Sequence, residues 1–413
     1  MAPSSGASFE RHSRIDPALI VIAAGVCAAL HVGKLPPAIT ALREALGMSL
    51  VEAGFLLSLV QVAGMSCGLA FGVLVDGLGL RRSMMLGLGV LGTVSAIGGL
   101  AQGVAMLMAL RACEGFGFLL VVLPAPALIR HLVAPQRVSR VFGLWGAYMP
   151  LATALALLIG PLFIGAFGWR TWWWGLALVS LLMVAVVARC VPAEPAVAPA
   201  RGTPWLQRLR RTLAEPGPWL VALLFTAYSG QWLAVIGFLP AIYMQAGVSG
   251  AATGVLTALA AAVNIAGNIG AGRLLHRGLA PGRLLVIGFV TMTLAAAATF
   301  AGANGAGLPG WARFVAVLLF SGVGGLIPAT LFALAVRVAP GDSMLSTTIG
   351  WMQQWSAFGQ FCGPPIVAWV ASMVGGWEFT WLATGAASLC GLLLTAALVR
   401  LLASRPAAAP SYR

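Results

Sequence analysis

Twelve separate runs of mainly apolar residues leave this chain few folds to choose from, because about 20 such residues are what a helix needs to cross a bilayer. The runs begin near Pro17, Leu50, Ser83, Val104, Ser139 and Thr171, and again near Pro216, Ala251, Arg283, Trp311, Ser343 and Phe379. Little of the 413-residue chain lies outside them. Hydrophobic residues make up 60% and charged residues 8%, and the mean hydropathy is +0.96. No water-soluble fold of this length could carry so much apolar surface. The expectation is an all-α membrane protein with twelve transmembrane helices, living in the lipid bilayer.

A net charge of +14 invites a nucleic-acid partner until its placement is read. With the N-terminus taken as cytoplasmic, most of the 24 lysines and arginines fall in the tail and loops of that one side. Arg43 and Arg170 fall clearly on the other. This is the positive-inside asymmetry, which places both termini in the cytoplasm of a multi-pass inner-membrane protein and implies no nucleic acid. Arg11 and Arg14 precede the first run as they would precede a cleavable signal. That run continues to Leu42, however, and the seventh repeats its pattern, so it reads as a span. Cys27, Cys67, Cys113, Cys190, Cys362 and Cys390 lie in or beside the runs without CxxC spacing, and His12, His31, His131 and His276 are scattered. Neither a disulfide framework nor a metal or cofactor site is indicated. No Walker loop, HExxH or GxSxG motif points to an enzyme.

The two halves of the chain repeat. Leu35-Pro36-Pro37-Ala38-Ile39 answers Phe238-Leu239-Pro240-Ala241-Ile242, and Leu123-Pro124-Ala125 answers Ile327-Pro328-Ala329. Val133-Ala134-Pro135 answers Val338-Ala339-Pro340, Gly160-Pro161 answers Gly363-Pro364, and Gly168-Trp169 answers Gly376-Trp377. Six spans repeated in the same orientation predict two six-helix bundles related by an axis along the membrane normal. The implied divisions are a cytoplasmic tail over 1–16, a bundle over 17–190, a cytoplasmic linker over 191–215, a second bundle over 216–402 and a tail over 403–413. Within the linker, Trp205 to Leu213 reads as a short surface helix, its Trp and Leu facing headgroups and its arginines their phosphates. The linker otherwise serves as a tether and topology signal, and regulation through it is open. Gly64, Gly68 and Gly72 recur every fourth residue and form a smooth face for close helix packing.

Between the second and third runs stands Gly72, then Asp76, Gly79, Leu80, Arg81 and Arg82. This loop resembles the cytoplasmic-loop signature of major facilitator superfamily transporters, with Gly77 where that pattern has a basic residue. The resemblance, extended by the repeat, covers essentially the whole chain and implies the major facilitator fold. By resemblance the loop is a conformational latch formed by Gly72, Asp76, Gly79, Arg81 and Arg82, favouring the outward-open state. Asp76 faces the start of the eleventh run at Asp342 and Ser343, a helix N-terminus that suits an anion. Read without the resemblance, the same residues are a solvated turn with topogenic arginines. The matching loop of the second half has His276 in place of the acid. Within the superfamily, Lys34-Leu35-Pro36-Pro37 and Gly237-Phe238-Leu239-Pro240 look like the cyanate and nitroimidazole transporter branch.

The fourth run carries Arg111 and Glu114, three apart on one helix face. Ionisable groups at this depth are expensive and usually face a cavity. Glu114 is the carboxylate placed well inside a predicted span, so it is the proton-coupling candidate, with His31 second; a structural ion pair is the other reading. Lys34, three residues after His31, has Gly237 as its counterpart in the seventh run, an asymmetry that points to ligand binding. A lysine beside a proline-broken helix suits an anionic substrate, unless it snorkels to the outer interface. Tyr148, Gln231, Trp232, Asn264, Gln353 and Gln354, with Trp145 and Asn268, complete a substrate-binding set with His31, Lys34 and Arg111, or else bond neighbouring helices. Together these imply a secondary active transporter of a small solute, a small organic anion or polar metabolite, working as a monomer by alternating access with a coupling proton. A drug and proton antiporter and a non-transporting membrane sensor are the alternatives.

Overall fold

A computed structural model describes residues 16–68, 78–134, 137, 141, 144–192, 205–302, 307–341 and 344–404. Among them every regular element is helical. The first half holds α1 (Pro17–Gly33), α2 (Ile39–Leu46), α3 (Leu50–Ser58), α4 (Leu80–Gly98), α5 (Val104–Val122), α6 (Ala125–Leu132) and α7 (Tyr148–Cys190). A linker helix, α8 (Trp205–Ala214), leads to α9 (Pro216–Gln245), α10 (Gly250–His276), α11 (Pro281–Phe300), α12 (Gly310–Gly324), α13 (Leu326–Val338), α14 (Leu345–Val374) and α15 (Thr380–Ser404).

Ten of these helical stretches are long and apolar enough to cross a membrane. The longest, α7, breaks at Gly168, whose φ of 81° and ψ of 165° no helix accommodates, so it makes two passes. With α4 added, the count is consistent with twelve. The breaks follow the repeat: α5 gives way to α6 at Leu123-Pro124, and α12 to α13 at Gly325, just before Pro328.

Local chemistry sets the helix ends. Asp16 accepts from the Ala18 amide at 3.0 Å and caps α1, with Pro17 in the first turn, where its missing N–H does no harm. Asp16 also pairs with Arg137 at 2.9 Å. Gly47, at φ 65°, ends α2, and Ser49 with Glu52 forms a capping box that starts α3.

Two cores belong largely to single halves. One gathers α1, α4, α5 and the two ends of α7 around Ala24, Leu88 and Val121. The other gathers the C-terminal bundle around Phe225, Phe289 and Phe320. A third crosses the seam between the halves, joining Leu35, Leu42, Leu56 and Leu57 to Ala234, Phe238, Ala241 and Val367. This seam core sits toward the face opposite the arginine-rich loops. There a Cβ on Gly54 would lie 3.0 Å from the Pro364 carbonyl oxygen and 3.1 Å from the Ala368 Cβ. The halves are therefore closed on each other at that far face. Gly64 and Gly68 continue the contact, facing Ala357 at 3.1 Å and Gln354 at 3.6 Å.

Candidate functional site

The site is built where the sequence interrupts a helix. Pro36 and Pro37 have no N–H, so the carbonyls of Val32 and Gly33 lose the donors a continuing helix would supply. The chain makes one 3₁₀ turn, Pro36–Ala38, before α2 begins. Other elements donate to carbonyls around this break, that of Val32 among them. Arg111 of α5 donates to the His31 carbonyl and, at 3.4 Å, to that of Val32, while its Nε reaches the Leu56 carbonyl at 3.3 Å. The Trp172 indole donates to the Lys34 carbonyl at 3.2 Å. Arg111 thus closes the open end of α1 and ties it to α3.

The same guanidinium lies 2.7 Å from one oxygen of Glu114, and the Lys34 ammonium lies 2.5 Å from the other. Lys34 also donates to Ser95 Oγ at 2.9 Å and to His31 Nδ1 at 3.3 Å, which occupies all three of its donors. With Nδ1 accepting, the His31 ring proton sits on Nε2 and donates to Ser180 Oγ at 2.7 Å. Ser95 Oγ in turn donates to the Trp173 carbonyl at 3.0 Å, and the Trp173 ring lies 4.7 Å from the ammonium. His31 and Lys34 are fully buried, and Arg111 and Glu114 are 2% exposed. The gap beside them, lined by Leu35, Leu56, Leu107, Leu110 and Trp173, is too narrow for a water molecule. Two cations thus share one carboxylate in a dry interior, leaving one positive charge in surplus.

Lys34 accordingly does not snorkel, and it is not an unpaired charge: its partner is Glu114, reached across the bundle. The structure brings His31, Lys34, Arg111 and Glu114 together and leaves the remaining site candidates elsewhere. In the C-terminal bundle Trp232 donates to Ser321 Oγ at 3.1 Å. Asn264 donates to Tyr228 Oη at 2.9 Å and to the Ser321 carbonyl at 2.8 Å. Gln231 accepts from Ser388 at 3.0 Å. Ser388 occupies the place after Gly376-Trp377 that Ser180 occupies after Gly168-Trp169, so each half fastens its first helix to its sixth with the same serine. Tyr148 stacks on Trp145 at 4.4 Å, and the Trp145 ring fills the space Gly25 leaves.

Gln354 donates across the seam to the Met65 carbonyl at 2.8 Å, whereas Gln353 is exposed. A second cross-seam bond, Gln61 to Gln360 at 3.0 Å, involves residues the sequence reading passed over. Gln360 lies two helical turns after Gln353, a spacing that could have marked it. Ser95 and Ser180 stand alone in apolar runs and carry no such signal. Of the latch residues, Gly79 precedes α4 at φ 88°, Arg81 donates to the Ala188 carbonyl and Arg82 is exposed. Gly72 and Asp76 lie outside the described residues, as do Asp342 and Ser343.

Residues 21–353 match the model of the Major Facilitator Superfamily. The chain belongs to that superfamily. It is 28% identical over 228 residues to the cyanate transport protein CynX of Escherichia coli (strain K12), a match covering 54% of this chain and 57% of that protein. It is 31% identical over 160 residues to the methylenomycin A resistance protein of Bacillus subtilis (strain 168), covering 37% and 33%. Each match thus spans between a third and just over half of the relative's length. A solved bacterial homologue of the human lysosomal transporter Spinster, inward-facing and unoccupied, superposes with a TM-score of 0.70 at 14% identity, over 94% of this chain and 95% of that one. Two parallel bundles are the Major Facilitator fold, as the internal repeat predicts.

Proposed function

We propose that this chain is a secondary active transporter that moves a small solute by alternating access, with the arginine-rich face and both termini in the cytoplasm of an inner membrane. The observation that carries this reading is the seam. Each half has a core largely its own, and they meet through the far-face apolar core, the close packing of α7 on α10 and of the second span on α14, and two amide bonds, Gln61 to Gln360 and Gln354 to the Met65 carbonyl. Two rigid bodies so joined can rock, and a ligand that binds the two arrangements unequally shifts their balance.

The favoured solute is a small anion. The surplus positive charge of the Lys34, Arg111 and Glu114 cluster raises the potential inside the first half, which favours an anion in the adjacent seam. The likeness to a cyanate transport protein supports the same class. Uptake of labelled cyanate and competing small anions into proteoliposomes holding the purified chain tests it. Saturable uptake is expected, abolished in Lys34→Gln, which removes the surplus charge, and partly kept in Lys34→Arg, which retains charge but alters donor geometry. Normal uptake by Lys34→Gln would reject the anion reading.

A drug and proton antiporter is the second reading, favoured by the likeness to a methylenomycin A resistance protein. It predicts proton-driven movement of amphipathic compounds and no anion uptake in the same vesicles. Orientation has its own test: a cysteine placed at Ala214, exposed on the linker helix, should resist an impermeant thiol reagent added to intact cells.

A further inference from the structure

The linker helix α8 carries features that transport does not use. Leu206, Leu209 and Leu213 are three and four residues apart and form one apolar stripe. Leu206 is 61% exposed, and an open concavity lined by Leu206, Leu209, Arg210, Leu213 and Ala214 runs along the stripe. Another side of the helix is held. Thr212 is fully buried, and the Trp219 indole donates to the Leu213 carbonyl at 3.0 Å. Trp219 in turn packs edge-on against Trp351 and Trp355, at 4.9 and 5.6 Å, so α8 is seated on the ends of α9 and α14.

The ten residues of α8 include three arginines and no acid. Arg210 and Arg211 are exposed, and Arg208 is half-buried with its Nε–H lacking an acceptor among the described residues. The Thr212 hydroxyl, one helical turn from Arg208 and buried on the held side, has no partner among the described residues. Two exposed guanidiniums beside an exposed leucine stripe suit an anionic group attached to an apolar body. Exposed Arg337 and Arg400 extend the positive charge along the same face of the molecule.

We infer that α8 is a docking surface for anionic phospholipid: the exposed Arg210 and Arg211, with Arg208 beside them, draw the anionic headgroups, and the leucine stripe enters the acyl boundary. This rests on the helix and its charges and stands apart from the transport reading.

The test is amide hydrogen exchange of the peptide spanning α8 in the full chain, held in nanodiscs of phosphatidylcholine alone or mixed with phosphatidylglycerol. Each arginine near an anionic surface is worth roughly fivefold in partition, so exchange should slow by tenfold or more in the anionic bilayer. Arg208→Gln with Arg210→Gln and Arg211→Gln should lose that protection while peptides of α9 and α14 exchange as before. Should the triple variant not fold, Leu206→Ser with Leu209→Ser carries the same expectation. Equal exchange in the two bilayers, or protection that survives in these variants, overturns the inference. So does equal protection by inorganic phosphate in neutral nanodiscs, which would mark a site for free phosphate.

Discussion

In the cluster of Lys34, Arg111 and Glu114 one carboxylate faces two cations, and this arithmetic ranks the substitutions. Glu114→Gln leaves two buried cations without a counter-charge, the change for which buried pairs lose about 3–5 kcal/mol. Lys34→Gln leaves the neutral Arg111 and Glu114 pair intact and removes one desolvated charge, so its effect should stay under about 2 kcal/mol. The double variant leaves one buried cation without a counter-charge instead of two and should melt above Glu114→Gln alone. Thermal unfolding of the four proteins in detergent measures the order, and equal losses for the two single variants would deny the shared carboxylate. The sequence made half of this cluster readable. Arg111 and Glu114 show their pairing by a three-residue spacing on one helix, whereas Lys34 meets Glu114 across 80 positions with no periodicity to announce it. That hidden partner is why a lysine in an apolar run looks like a free ligand for substrate or a snorkelling charge.

At the level of elements, the proline break after α1 is legible, because Pro36 and Pro37 remove donors wherever they stand. What meets the carbonyls around that break is not, since Arg111 and Trp172 come from other helices. Arg111→Lys should therefore destabilise despite keeping its charge, because one ammonium cannot reproduce a fork that serves the carbonyls of His31, Val32 and Leu56 as well as Glu114. Close helix crossings behave similarly. A Cβ on Gly115 would lie 2.4 Å from the Val60 carbonyl oxygen, so Gly115→Ala must push α5 off the second span and lower the yield of folded protein. Gly89 has nothing within 4 Å, and Gly89→Ala should be neutral or gain up to about 1 kcal/mol of helix propensity. Monodispersity on size exclusion and melting temperature separate the two. Both glycines look alike in the sequence, because a crossing is set by the neighbour and not by the helix that carries the glycine.

For the whole molecule, the apolar runs and the repeat foretell two parallel bundles, yet they are silent on which end is shut. A repeated sequence serves both closures equally, and the difference lies in contacts between halves that no local pattern records. In this structure the far face is shut, with Gly54 against Pro364, Pro365 and Ala368, and Gly254 against the carbonyls of Leu157 and Leu158. The alternating access proposed for the chain requires that this face part during each cycle. Gly54→Cys with Ala368→Cys, in a chain stripped of its six native cysteines, puts two thiols where a Gly54 Cβ would stand 3.1 Å from that of Ala368. A disulfide wants about 3.5–4.5 Å between Cβ atoms, within reach of a small relaxation. Mild oxidation should cross-link the pair, arrest uptake in proteoliposomes and leave it restorable by reductant. A cross-linked protein that still transports would mean the far face need not open, and the rocking of one half against the other would have to be abandoned.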